Sequence, residues 1–115
     1  KVCVITDNDG DIDRIEEINE YNNNHKFQKI FTDTNIENYT WEVCLYNLNE
    51  DKLKDIIKIK LDSKYSFNGI DYGTDGLPHL GKMLNNKVDT AYRMAKENYK
   101  WNIPKYVLEG MKWIR

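Results

Sequence analysis

The chain has 115 residues, 40% of them apolar, enough to bury one small hydrophobic core. Its two cysteines and two histidines are too widely spaced for a zinc motif, and no stretch is long or apolar enough for a membrane span or patterned as a signal peptide. The net charge of −2 is unevenly spread: residues 1–75 carry nine Lys/Arg against sixteen Asp/Glu (−7), and residues 76–115 carry eight against three (+5). An acidic half joined to a basic half suits a protein that acts on a polyanion, with cations at the acids and phosphates along the Lys and Arg.

The first element is Val2-Cys3-Val4-Ile5, which runs straight into Thr6-Asp7-Asn8-Asp9-Gly10-Asp11. A short, β-branched, non-alternating run reads as a strand buried on both faces, as in a parallel sheet. Asp7 and Asp9 fall at its carboxyl end, where open α/β sheets place their ligands. Alternate residues of an extended chain point the same way, so both carboxylates can face one site. Like charges that close call for a cation, and oxygen ligands suit a hard one, which makes Asp7 and Asp9 candidate ligands for Mg²⁺ or Mn²⁺. Asp11 and Asp13 read first as the start of a helix, where acidic residues complement the dipole. An EF-hand reading of Asp7, Asp9 and Asp11 fails, because Ile12 stands where the sharp-turn Gly is needed and Ile18 where the bidentate Glu is needed. A strand that opens at the second residue is expected to belong to a longer protein.

Ile12, Ile15 and Ile18 predict a helix from Ile12 to about Tyr21, ended by Asn22-Asn23-Asn24. Lys26 to Phe31 predicts a second strand, and the crossover between the two makes a right-handed parallel βαβ unit. Thr32-Asp33-Thr34-Asn35 then ends that strand on the edge that carries Asp7 and Asp9. Asn38 or Thr40 is a good N-cap for a helix over Trp41–Leu48, with Glu42 in its first turn, where a carboxylate also satisfies the dipole. A further helix starts at Asn49-Glu50-Asp51 and points Leu53, Ile56, Ile57 and Leu61 inward.

Residues 62–76 hold three Gly and several turn formers and read as a loop. Leu77–Leu84 predicts a short helix with Pro78 in its first turn and a structural His79. Val88, Ala91, Tyr92, Ala95 and Tyr99 predict the inward stripe of an amphipathic helix. Lys87 stands at its start, where a cation opposes the dipole, a local violation of the kind found at functional sites. Pro104 is a good first residue for a last helix whose packing side is Tyr106, Val107, Leu108, Met111, Trp113 and Ile114. Trp101 and Trp113 read as core anchors, and Cys3 and Cys44 as reduced core residues, which suits a cytoplasmic protein. These elements make an α/β fold, a small parallel βαβ sheet flanked by helices with a helix-rich C-terminal half. The expected organisation is a single domain: residues 1–35 the βαβ unit with the metal site, 36–61 helices, 62–76 a loop and 77–115 C-terminal helices.

Three stretches carry a resemblance to a known family. Val4-Ile5-Thr6-Asp7-Asn8-Asp9-Gly10-Asp11 is similar to the TOPRIM Asp-x-Asp motif after a buried strand. Asn38-Tyr39-Thr40-Trp41-Glu42-Val43-Cys44-Leu45 resembles a Thr-Leu-Glu segment. Lys87 with Ala91 and Ala95, followed by Pro104-Lys105-Tyr106-Val107, resembles a Lys-x-x-x-Ala helix and a closing Pro-x-Tyr-Ile helix. In this order they resemble the C-terminal TOPRIM nuclease domain of OLD-type (overcoming lysogenization defect) ATP-dependent endonucleases.

The resemblance implies metal-dependent DNA cleavage, with anti-phage defence as the setting. It places Asp7 and Asp9 as metal ligands and catalytic acids, Glu42 as a carboxylate near a second ion, Asp11 as an extra ligand and Lys87 near the scissile phosphate. Two Mg²⁺ or Mn²⁺ ions about 4 Å apart are the implied cofactors. DNA and the rest of the parent chain are the implied partners, the latter bringing an ATPase domain, an earlier Glu-bearing strand and a route to a homo-oligomer. Two other readings stand beside it. One is a non-catalytic TOPRIM-like module that binds DNA or protein through its basic C-terminal helices. The other is a haloacid-dehalogenase-like phosphatase, against which Asp11 stands where that family has a hydroxyl residue.

Overall fold

A computed structural model describes residues 1–60, 65–72 and 78–115. The fold is α/β and divides into two compact units, one made of Lys1–Cys44 with Ile103–Arg115 and the other of Leu45–Asn102. No helix among the described residues is long and apolar enough to cross a membrane.

The first unit is built on strands β1 (Val2–Ile5) and β2 (Gln28–Phe31), joined through helix α1 (Ile12–Asn24). The strands pair in parallel with Val4 opposite Ile30 and Ile5 opposite Phe31. Val2 and Thr6 donate main-chain N–H bonds to the Phe27 and Phe31 carbonyls at 2.7 and 3.1 Å. The pleat splits this sheet into two faces. Val4 and Ile30 lie on the face where α1 packs, with Ile15 and Ile18 as its buried residues. Cys3, Ile5 and Phe31 lie on the face crossed by helix α6 (Lys105–Ile114). Gly110 allows that crossing: a Cβ there would come within 2.6 Å of Ile5 Cδ1 and 2.9 Å of Cys3 Sγ. Trp113 then packs on Phe31 with ring centroids 6.0 Å apart, and the Lys1 and Lys29 ammonium groups sit over its ring.

Several expectations are corrected here. β1 is not buried on both faces. Among the described residues β2 is its only sheet neighbour, and Val2, Val4 and Ile5 are 52, 43 and 41% exposed. The asparagine run does not end α1 but forms its last turn, because Asn22 takes up a tertiary role against β2. Ile12 is exposed, and so is Phe27, which precedes β2. In α6 the buried residues are Tyr106 and Gly110, whereas Leu108, Met111 and Ile114 are exposed, and Pro104 is the N-cap rather than the first helical residue.

Helix α2 (Trp41–Leu48) carries the chain from the first unit into the second. Thr40 starts it, accepting the Cys44 main-chain N–H at its carbonyl at 3.1 Å and the Val43 N–H at its hydroxyl at 3.4 Å. The second unit contains α3 (Glu50–Ile56), a hairpin of β3 (Ser66–Phe67) and β4 (Ile70–Asp71), α4 (Pro78–Asn85) and α5 (Lys87–Lys96). Leu53, Ile56, Ile57, Leu80, Met83 and Leu84 are buried. The expected inward placement of Leu61 and the loop reading of 62–64 and 73–76 lie outside the described residues.

The hairpin falls in the stretch read as a loop, and it turns on Asn68 and Gly69, whose φ values of 50° and 79° suit a two-residue turn. α4 lies against it through Gly81, where a Cβ would meet the Tyr65 and Tyr72 Cβ atoms at 2.8 and 2.9 Å. The predicted inward stripe of α5 is not its buried side: Val88 and Tyr92 are exposed, and Thr90 is the buried residue. Its packing against α3 and α4 turns the helix so that the apolar stripe is not what they cover.

Candidate metal centre

The loop after β1 is organised by Asn8, which is fully buried. Its Nδ2 donates to the Asp33 and Asn35 carbonyls at 2.8 and 2.9 Å, and its Oδ1 accepts the Gly10 N–H at 2.8 Å. One side chain therefore ties the loop after β1 to the loop after β2. A second tie is the Asp9 N–H, which donates to the Tyr39 carbonyl at 3.1 Å. The chain can turn here because Asp9 and Gly10 both adopt left-handed backbone, with φ of 55° and 71°.

The predicted site residues separate along this frame. Asp7 lines a cleft of about 320 Å³ with Ile5, Thr6, Trp41 and Tyr106. Asp9 is past the strand, and its Oδ2 lies 3.3 Å from the Arg14 guanidinium, which also donates to Thr6 Oγ1 at 3.1 Å. Asp11 is the N-cap of α1, its Oδ1 accepting the Asp13 N–H at 2.9 Å. Glu42 is in the first turn of α2, next to Trp41 of the Asp7 cleft. Lys87 is the first residue of α5 in the other unit, its ammonium 5.6 Å from the centroid of the Phe67 ring.

Asp33 joins Asp7 at the carboxyl edge of the strands. Its Oδ1 accepts the Asn35 N–H at 2.8 Å, and its Oδ2 accepts from Asn38 Nδ2 at 3.1 Å and faces the Cys44 thiol at 3.7 Å. Burial and then the Asp33 charge push the Cys44 thiol up to about 12, with Asp7 adding to the rise. Burial raises the Tyr106 hydroxyl too, followed by Cys44 and Asp7. Both carboxylates therefore act on the same pair of buried groups. A second cleft of about 320 Å³ runs beside them, lined by Thr32, Asp33, Thr34, Lys105, Tyr106 and Glu109. Thr32 Oγ1 is buried there without a hydrogen-bond partner among the described residues.

The i, i+2 spacing singles out Asp7 with Asp9 and passes over Asp33. The signal for Asp33 is position: it ends β2 where Asp7 ends β1, and adjacent parallel strands bring their carboxyl ends side by side. Carboxylates are the oxygen ligands a hard divalent cation takes, and both Asp33 oxygens are engaged, Oδ1 by the Asn35 N–H and Oδ2 by Asn38. Among the described residues no three His, Cys, Asp or Glu side chains are grouped as a metal cage. Asp9 meets Arg14 through Oδ2.

No family model matches the chain, and neither do any curated proteins or solved structures.

Proposed function

We propose that the chain is a TOPRIM-like nuclease domain of an OLD-type DNA endonuclease that works with Mg²⁺ or Mn²⁺. The supporting observation is that Asp7 and Asp33 follow the two paired parallel strands, at the edge where open α/β sheets place their ligands. Asp7 is the principal ligand, Asp9 joins it, and Glu42 and Asp11 stand as outer carboxylates. A cation beside the scissile phosphate, the role that the resemblance gives to Lys87, would offset charge developing in the transition state. A bound ion of this kind activates water and stabilises the leaving oxygen of an in-line displacement. DNA is the substrate, anti-phage defence the setting, and an ATPase-bearing parent chain the context.

The test measures Mn²⁺ binding by calorimetry on the chain, and plasmid nicking by the protein that contains it, for wild type and Asp7→Asn. Loss of binding and of nicking in the variant is the expected result. Wild-type binding and nicking by Asp7→Asn would overturn it. The Arg14–Asp9 ion pair favours one second reading, a non-catalytic module whose acid is neutralised by its own chain. In that case the wild type neither binds Mn²⁺ nor nicks.

A further inference from the structure

Helix α6 begins without a cap. Its N-cap residue, Pro104, makes no side-chain hydrogen bond, and its first turn holds no acid. The main-chain ladder starts with the Val107 and Leu108 N–H groups, which donate to the Pro104 carbonyl at 3.1 and 3.3 Å. The Lys105 and Tyr106 N–H groups come before it and have no partner inside the helix. The dipole favours an anion at this end, yet the residue placed there is Lys105, whose cationic side chain is 90% exposed. The same two residues line a cleft of about 320 Å³ with Thr32, Asp33, Thr34 and Glu109. Thr32 calls for a ligand on separate grounds. It is only 9% exposed, and its Oγ1 is buried with no hydrogen-bond partner among the described residues. Buried hydroxyls are seldom left in that state. The cleft also lies at the carboxyl end of β2, on the edge where open α/β sheets bind their ligands.

We propose that this cleft binds a phosphate group. The phosphate oxygens accept from the Lys105 and Tyr106 N–H groups, the Thr32 hydroxyl and the Lys105 ammonium. Thr34 is exposed beside them and offers a second hydroxyl. Two acids line the cleft as well. Both Asp33 oxygens are already held, by the Asn35 N–H and Asn38 Nδ2. Glu109 Oε1 lies 3.7 Å from Lys105 Nζ, an exposed pair of the kind that contributes little, so a phosphate can take over the ammonium. Glu109 is thus a competitor, and the binding is expected to be weak, in the millimolar range. On the nuclease reading the phosphate belongs to the DNA backbone, and that source alone rests on the reading. Free phosphate has the same chemistry, and its capture needs neither metal nor cleavage.

Amide NMR spectra of the chain, titrated with inorganic phosphate at constant ionic strength and without metal, give the readout. The Lys105 and Tyr106 N–H signals should shift and saturate. Thr32→Val keeps the branched shape and removes the hydroxyl. It should weaken binding about tenfold, as expected for one hydrogen bond to a charged group. It should not lower the melting temperature, because Oγ1 has no partner to lose. Lys105→Gln should also weaken binding, and Glu109→Gln should strengthen it. Unmoved Lys105 and Tyr106 signals, Thr32→Val binding as tightly as wild type, or Glu109→Gln binding more weakly would each overturn the proposal. If Thr32→Val fails to fold, the variants at the exposed Lys105 and Glu109 decide. Dimethyl phosphate, a diester like the DNA backbone, separates the two sources. Shifts of the same two signals assign the site to a nucleic-acid phosphate. Shifts with inorganic phosphate alone assign it to free phosphate and overturn the link to DNA.

Discussion

Asn22 binds Ile30 as a neighbouring strand would. The Ile30 N–H donates to Asn22 Oδ1 and Asn22 Nδ2 donates to the Ile30 carbonyl, both at 2.8 Å. A side-chain amide carries the same donor and acceptor as a peptide unit, so one residue in the last turn of α1 satisfies the open side of β2. It also fixes how α1 lies on the sheet.

Replacing Asn22 should expose this dependence. Asn22→Leu keeps a similar size and removes both hydrogen bonds, leaving the Ile30 N–H and C=O half-covered and unpaired. A loss of about 1–3 kcal/mol is expected. Urea unfolding of the variant and wild type measures it, and equal midpoints would contradict the assignment.

Asn8 is the stronger case, since it is fully buried and makes three hydrogen bonds to the two loops of the candidate site. Asn8→Ala should cost about 2–4 kcal/mol, the order expected for stranding several buried polar groups. Asn8→Asp should be at least as damaging at neutral pH, because a carboxylate oxygen would face the Asp33 and Asn35 carbonyls where Nδ2 now donates. Denaturant curves for both variants test the order.

The two close-approach glycines should respond differently to alanine. At Gly81 the added Cβ meets the Tyr65 and Tyr72 Cβ atoms and the Tyr65 carbonyl at 3.0 Å, none of which can rotate away. At Gly110 the nearest atoms are the tips of Ile5 and Cys3, which can move. Overpacking of about 1–3 kcal/mol should dominate at Gly81, while at Gly110 it is offset by the gain of about 1 kcal/mol in helix propensity. Thermal melts should therefore place Gly81→Ala below Gly110→Ala.

Cys44 supplies a pH signature. Its thiol is pushed from 9.0 up to about 12, first by burial and then by the Asp33 charge. A thiol that ionises later when folded binds its proton more tightly than the unfolded chain does. Its stabilising contribution is therefore full below the unfolded value and is lost as pH rises through 9.0 towards about 12. Wild type should lose more stability than Cys44→Ala over the alkaline part of that range. At about pH 8 the buried Cys44 should react with a thiol reagent far more slowly than the half-buried Cys3. Equal modification rates at Cys3 and Cys44 would contradict the assignment.

Much of the architecture was legible from local pattern. The run Val2–Ile5, the spacing of Ile15 and Ile18 and the crossover length together specified a parallel βαβ unit, and of the two candidate caps, Asn38 and Thr40, it is Thr40 that starts α2. Asp11 as a cap and Asp7 at the strand end followed from chemistry that acts within a few residues. A further local signal lies inside the stretch read as a loop: Asn68-Gly69 is a strong hairpin pair, and it turns β3 into β4.

What only the tertiary structure decided involves partners distant in sequence. Apolar residues are expected to point inward, yet Val88 and Tyr92 do not, because neighbouring elements choose which side of a helix is covered. Asn22, read as a helix breaker, became an edge cap only because α1 lies beside β2. The edge shared by Asp33 and Asp7 was already expected from the parallel unit, but the ties of Asp33 to Asn38 and Cys44 come only from packing. The i, i+2 rule placed Asp7 and Asp9 together in an extended chain, but the left-handed turn at Asp9 sends its carboxylate to Arg14. Sequence by itself determined the elements, since hydrophobic period and capping are short-range. Tertiary structure decided which groups each carboxylate meets and which residue caps the β2 edge, since those depend on packing between residues far apart in the chain.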